Sequence, residues 1–315
     1  MISHKIYSTC SNDFQSFIEP DIRATRTLVS KSSSYELPVS HRALPLITYL
    51  YNLKRACQTL FSNPHFIALI NQNPRLLYKY LGNYLARNFS KRDRLSIVIN
   101  HYYFLSKHAK PGFFASILRE TVIWSQCINE LNIAIKIKFP VGIDFDGDLT
   151  LVFEMDDNPI YAVSFTFIPT SLIDGSSNQA IFVGRVQGTA EFDLIKKATK
   201  SLSDITPAAL LIAALQGVGT AFNIDKIIGI SNERHLYRYT RDSKQHFFDY
   251  DSFWSSFNVE KENGFFHLPI PFPEKPLSSL KPNHRSRTVR KRAYKKELSM
   301  SIADYCRGNL LLKSE

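Results

Sequence analysis

From about residue 132 the hydrophobic period of the chain changes from 3.6 to 2, and no other feature constrains the fold as tightly. Ile133, Ile135, Ile137 and Phe139 alternate with Ala134, Lys136 and Lys138. Leu149, Leu151, Phe153 and Met155 alternate with Thr150, Val152 and Glu154, and Tyr161, Val163, Phe165 and Phe167 repeat the pattern. Successive side chains of a strand point to opposite faces, so each run predicts a strand with one face in a core. Asp146-Gly147 and Asp156-Asp157-Asn158-Pro159 supply turn chemistry between the runs. A fourth run, Ala180 to Gln187, follows the polar loop Asp174 to Asn178. Together they predict an antiparallel meander.

Ahead of the meander the period is helical. Residues 1–40 are polar and poorly periodic and read as a mobile arm. Leu46, Ile47, Leu50, Leu53, Cys57, Leu60 and Phe61 then fall on one helical face. Asn63-Pro64 and Asn73-Pro74 suit the cap and first position of further helices. Ser90 can cap another, with Leu95, Val98, Ile99, Tyr102 and Leu105 as its stripe; Tyr102 reads there as core and not as a site.

After the meander, a polar helix is expected over Glu191 to Leu202. Thr206-Pro207 then opens a helix that is apolar on every side as far as Phe222. A helix without a polar face must be buried, here against the sheet. Asp225 to Ser231 reads as a buried strand, Tyr250 to Phe257 as a short helix and Phe265 to Leu268 as a last strand. This strand–helix–strand succession implies a parallel pair with a right-handed crossover. The fold class is therefore α+β: an N-terminal helical region packed on a mixed, mainly antiparallel sheet, compatible with a GNAT-like (acyl-CoA N-acyltransferase) topology. The expected divisions are the arm at 1–40, a basic helical region at 41–130, a GNAT-like α+β domain at 131–275 and a basic C-terminal tail at 276–315.

The 315 residues are 44% hydrophobic, with 23 Phe and 15 Tyr, which is ample core material and argues against global disorder. Cys10, Cys57, Cys127 and Cys306 are widely spread, without Cys-x-x-Cys or zinc spacing, and read as buried free thiols. The N-terminus lacks the apolar stretch of a signal peptide, and the longest apolar run, Ala208 to Leu215, is too short to span a bilayer. A cytoplasmic chain is expected, with peripheral membrane association left open. Net charge is +11 and unevenly placed. Arg42 to Glu120 carries twelve Lys/Arg against two acids, Glu130 to Asp157 seven acids against two Lys, and Lys281 to Glu297 eight Lys/Arg against one Glu. Such asymmetry points to a polyanionic partner, RNA or an anionic membrane surface.

Four segments carry a family likeness: Gly184-Arg185-Val186-Gln187-Gly188, Ser231-Asn232-Glu233-Arg234-His235, Tyr250-Asp251-Ser252-Phe253-Trp254 and Arg290-Lys291-Arg292-Ala293-Tyr294. In this set and order, over roughly Leu44 to Tyr294, the chain resembles the bacterial VirK/YbjX family. That resemblance implies a link to virulence, outer-membrane remodelling and the expression or export of surface proteins such as autotransporters. It implies no reaction.

One of these segments has a physical reading as well. Arg185, Gln187, Gly188 and Ala190 fit a loop similar to the pyrophosphate loop of GNAT-type acyltransferases, where main-chain N–H groups at a helix start face an anion. Glu191 and Asp193 would repel a pyrophosphate there, and a packed turn without ligand is the competing reading. His235, just past a buried strand, is a candidate base or a structural histidine; Tyr250 is a candidate proton donor or an anchor for its helix. Asp144, Asp146 and Asp148 lack the spacing and final Glu of a calcium loop and read as a hairpin turn; no metal site is expected. Arg285, Arg287, Arg290, Lys291, Arg292, Lys295 and Lys296 have the density of a segment that binds phosphates, or of a solvated basic helix.

Two readings follow. In one the chain is a VirK-like accessory factor that supports post-transcriptional expression, biogenesis or surface display of an envelope virulence protein, touching RNA, a membrane surface or that client. In the other it is a GNAT-like acyltransferase that uses acyl-CoA on an envelope lipid or protein amine.

Overall fold

The computed structural model describes residues 76, 79–140, 145–176, 178–236 and 248–312, all within the compact unit Ala56–Glu315. The expected arm, the 46–61 stripe, both Asn-Pro pairs, Cys10, Cys57 and Asp144 lie outside the described residues.

Among the described residues the first long helix, α1 (Lys91–His108), begins as its sequence requires. Ser90 Oγ accepts from the Asp93 N–H and the Asp93 carboxylate accepts from the Ser90 N–H, a reciprocal cap that satisfies two otherwise orphaned donors. Leu95, Val98, Tyr102 and Leu105 are buried as the stripe predicts, and Ile97, His101 and Phe104 widen the buried face. A short helix, α2 (Phe113–Leu118), leads into the sheet.

Among the described residues the sheet has eight strands: β1 (Thr121–Ile128), β2 (Leu131–Lys138), β3 (Leu149–Met155), β4 (Asn158–Pro169), β5 (Gln179–Gly188), β6 (Lys226–Ile230), β7 (Lys261–Glu262) and β8 (Phe265–Pro269). Their order is β1-β2-β3-β4-β5-β6-β8-β7. β5 and β6 run parallel, while every other neighbouring pair is antiparallel. The fold is thus α+β on a mixed, mainly antiparallel sheet.

Two features differ from the sequence expectation. The sheet begins at Thr121, ahead of the period-2 signal near residue 132, because the edge strand β1 has no strict alternation: only Ile123 on it is buried. The parallel pair is β5 with β6, joined through two helices, whereas β6 and β8, joined through a short helix, are antiparallel. Cys127 is a correction too, since it is exposed on β1; Cys306 is buried, and burial pushes its thiol up to about 12.

Between β5 and β6 lie α3 (Phe192–Ser201) and the apolar α4 (Pro207–Ala221). Thr206 caps α4 by accepting from the Ala209 N–H, and Pro207 occupies its first turn. Phe167 of β4 meets His101 and Phe104 of α1 and Phe222 at the end of α4, so both helices cover one face of the sheet there. After α5 (Tyr250–Ser255), β7 and β8 comes α6 (Pro282–Tyr305), a docked helix within the expected basic tail. It lies across α4, and a Cβ at Gly217 of α4 would strike the Ser299 carbonyl and Ile302 of α6. The small residue is what lets the two helices touch. Among the described residues no helix is long and apolar enough to cross a membrane.

Candidate functional site

β5 and β6 pair at only three positions, ending at Val183 with Gly229, although β5 continues to Gly188. Backbone groups freed by this parting need partners, and α5 supplies them. Trp254 Nε1 donates to the Ile230 carbonyl at 2.9 Å, and the Val186 N–H donates to Tyr250 Oη at 3.4 Å. The Trp254 indole lies so close over Gly229 that no side chain would fit there. The opening between the two parallel strands is filled by the protein's own aromatic residues.

The loop after β6 is tied to α5 by a compact set of bonds. Asn232 N–H donates to Asp251 Oδ1, Asn232 Nδ2 to Asp249 Oδ1, and Tyr250 N–H to Asn232 Oδ1, each at 2.8 Å. Asp249 also caps α5 by accepting from the Ser252 N–H and hydroxyl. The Ser252 side chain, then Asn232 and the Ser252 backbone, hold the Asp249 carboxyl below the usual carboxylate range.

This clamp brings together the two candidates that the sequence offered separately. His235 Nε2 and Tyr250 Oη are 3.1 Å apart, and their rings stack at 4.7 Å between centroids. Burial pushes the Tyr250 hydroxyl well above its ordinary range, with Arg185 opposing and Asp146 reinforcing that shift. A tyrosine held protonated against an imidazole can pass a proton along that contact. The pair also sits past the carboxyl end of β6 and beside the last residues of β5, near where open sheets place ligands.

The neighbouring 185–190 segment is built differently from an open anion cradle. Arg185 Nε donates to Gln187 Oε1 at 2.7 Å. Gly188 still belongs to the β4–β5 ladder, opposite Tyr161, and the Thr189 N–H donates to the Ile160 carbonyl at 3.0 Å. A Cβ on Gly188 would stand 2.9 Å from Ile195 Cδ1 and 3.3 Å from the Tyr161 ring, so side chains already cover it. Ala190 follows in the half-buried link to α3.

The seven cations of the basic segment all lie on α6: Lys291, Arg292 and Lys295 are half-buried, and Arg285, Arg287, Arg290 and Lys296 are exposed. Arg287 pairs with Asp204 at 2.5 Å, and Lys291 Nζ donates to the Asp204 carbonyl. Arg292 pairs with Glu274 at 3.3 Å and donates to the Lys275 carbonyl. Arg285 donates to the Leu280 carbonyl near the helix start. Lys295 is half-buried, and burial lowers its ammonium below the usual lysine range although Glu274 counters. Arg290 and Lys296 are exposed. Tyr294 Oη donates to Gln126 Oε1 on β1, which fastens the helix to the sheet edge.

One cluster escaped the sequence reading. Asp148, at the start of β3, accepts from Lys79 Nζ at 2.5 Å, Tyr102 Oη at 3.1 Å and Thr166 Oγ1 at 2.8 Å, and from Tyr84 Oη. Burial alone would raise its carboxyl; Lys79 and His101, with the Lys79 and Tyr84 hydrogen bonds, outweigh that and hold it well below the carboxylate range. His101 Nδ1 accepts from the Phe167 N–H, and burial pushes the imidazole down to about 4. Asp146 and Asp148 lie in the link between the antiparallel β2 and β3, as the hairpin-turn reading has it, and they are buried there. The only hint in the sequence was the Asp-x-Asp-x-Asp run itself. Every member of the cluster is at most 6% exposed, so it fastens α1 and the 145–148 turn to the sheet and offers no entry for a ligand.

Residues 43–303 match a family described as a protein of unknown function (DUF535). The "Uncharacterized protein YbjX" of Escherichia coli K12 is 24% identical over 258 residues, covering 78% of this chain and 76% of that protein. The "Membrane protein LapB" of Mannheimia haemolytica is 23% identical over 189 residues, covering 56% of this chain and 76% of that protein. No solved structure matches the chain. With most of its length inside the family match, the chain belongs to this bacterial family, DUF535, the VirK/YbjX proteins.

Proposed function

We propose that this protein is a VirK-like accessory factor, supporting post-transcriptional expression, biogenesis or surface display of an outer-membrane protein by binding a polyanion through α6. The observation that carries the reading is the mounting of α6. Ion pairs and the Tyr294–Gln126 bond hold the helix rigidly, while Arg290 and Lys296 remain exposed on it. A fixed helix presents its outward cations without first losing conformational freedom, which favours binding. The test is fluorescence anisotropy of a labelled RNA oligonucleotide, together with flotation on anionic vesicles, each over a salt series. Arg290→Gln with Lys296→Gln is expected to weaken binding and flatten its salt dependence. A parent protein that binds neither probe at low salt overturns the reading.

The acyltransferase reading is favoured by one observation, the His235–Tyr250 contact beside the single parallel strand pair of the described sheet. Against it stand the Thr189 N–H engaged by β4, the side chains over Gly188, and Trp254 and Tyr250 between the strands. Isothermal titration with CoA and acetyl-CoA separates the two. Heat of binding that Gly188→Glu abolishes would favour the acyltransferase, and a flat titration would leave Arg185 to Ala190 as a structural turn.

A further inference from the structure

α3 buries little of itself. Of its ten residues only Ala198 is fully buried, while Phe192 is 68% and Leu194 39% exposed. Lys196, Lys197 and Lys200 are exposed, with Asp193 as the acid inside the helix. The Lys196 ammonium lies 4.3 Å from the Phe192 ring centroid, so a cation and a large apolar group are presented together.

The C-terminal end of α3 meets α6. Asp204, three residues past α3, holds Arg287 with its carboxylate and Lys291 with its carbonyl. The acid at this junction is therefore already paired and does not neutralise the lysines of α3. In the first half of α6 the exposed Arg285, Arg287 and Arg290 accompany Val289, 45% exposed; Lys296 and Met300, 57% exposed, follow in its second half. Glu297 and Asp304 line one surface with Lys296 and Met300 in that second half, so the basic character is strongest in the first half.

From this arrangement we infer that α3 and the first half of α6 form one docking surface for an anionic lipid bilayer, which α3 engages with its lysines and Phe192. The inference rests on the polyanion reading above and names its partner. Cations alone would suit any polyphosphate. Phe192 alone would suit a nucleobase as well, but the aliphatic Leu194 and Val289 beside them gain by leaving water, and the interface of a bilayer accepts them while neither base stacking nor a phosphodiester backbone does. Lysine ammonium groups act as point charges toward lipid headgroups, without the bidentate geometry that selects arginine for nucleic-acid contacts.

The experiment is flotation of the full-length protein with vesicles of phosphatidylcholine alone and of equal parts phosphatidylglycerol and phosphatidylcholine, beside anisotropy with the labelled RNA. Capture by the anionic vesicles alone is expected. The triple variant Lys196→Gln, Lys197→Gln, Lys200→Gln is expected to weaken it by roughly tenfold or more. Phe192→Ser is expected to weaken vesicle capture while leaving the melting temperature, and any RNA signal, unchanged. These side chains are exposed, so the variants fold, and the melting temperature checks that. If the α3 variants float like the parent while Arg290→Gln with Lys296→Gln does not, the bilayer surface excludes α3 and this inference falls while the polyanion reading stands. Binding to RNA without vesicle capture has the same consequence. Binding to neither probe overturns both.

Discussion

The Lys79 ammonium and the Asp148 carboxylate meet at 2.5 Å with side chains only 5% and 0% exposed. Two hydroxyls of tyrosine and one of threonine complete the shell around that carboxylate. Removing one member of a buried ion pair leaves the other charged and desolvated, at a cost of about 3–5 kcal/mol. Lys79→Met is therefore expected to lose that much stability in urea unfolding at neutral pH. Tyr102→Phe removes a single bond to the same acceptor and is expected to cost less, about 1–3 kcal/mol. If Lys79→Met stays within about 0.5 kcal/mol of the parent, as surface substitutions do, the pair is solvated and the cluster does not fasten the fold.

His101 adds an acid sensitivity to the same region. Its folded-state pKa of about 4 lies below the ordinary histidine value of 6.5, with burial as the cause and Asp148 and Lys79 the charges that face it. The unfolded chain takes up this proton first, so the stability is fully present above pH 6.5 and is lost as the pH falls toward 4. The loss is on the order of 3 kcal/mol across that window. The Asp148 carboxyl, held well below its usual range, contributes stability that is lost only at lower pH. His101→Gln keeps an acceptor for the Phe167 N–H and removes the titration. Unfolding free energies measured at pH 7 and pH 5 should then converge for the variant and differ for the parent; an equal drop in both proteins would show that another group carries the effect.

Period and capping signals read most of this architecture directly. β2, β3 and β4 alternate in sequence, β5, β6 and β8 read as short apolar runs, Ser90 and Thr206 cap where they should, and the all-apolar α4 is buried between sheet and helix. β1 was not legible because an edge strand with one buried residue carries no period-2 signal. The docking of α6 was not legible either: its cations and apolar residues are nearly equal in number, and its burial depends on the shape of α4 at Gly217 rather than on its own pattern. His235 and Tyr250 were found one at a time by their positions next to a strand end and a helix start. Their contact depends on the Asn232, Asp249 and Asp251 clamp, which joins residues 17 to 19 positions apart and has no linear signature. Lys79 and Asp148 are 69 positions apart and were invisible for the same reason.

The close crossing of α4 and α6 gives a third prediction. Gly217→Ala would push a methyl against the Ser299 carbonyl and Ile302. Overpacking of this kind costs about 1–3 kcal/mol. Because the strain falls on one docked helix, limited trypsin digestion is expected to cut α6 at Arg290 or Lys296 faster in the variant than in the parent. An unchanged cleavage rate and an unchanged melting temperature would mean that the two helices are not in contact at this point.

The His235–Tyr250 contact is open to a double-mutant cycle. Tyr250→Phe removes the hydroxyl that accepts from the Val186 N–H and faces His235 Nε2. A buried donor left without its partner costs about 1–3 kcal/mol, so the single variant is expected to be destabilised although the ring remains to pack against Phe248 and His235. His235→Ala removes the other half of the contact. Residues that share a hydrogen bond are expected to show an interaction energy of about 0.5–3 kcal/mol in the cycle. Urea unfolding of the parent, both single variants and the double variant measures it. Strict additivity, within about 0.3 kcal/mol, would mean that the two side chains do not act on each other in solution, and the site would lose the one proton path that its geometry provides.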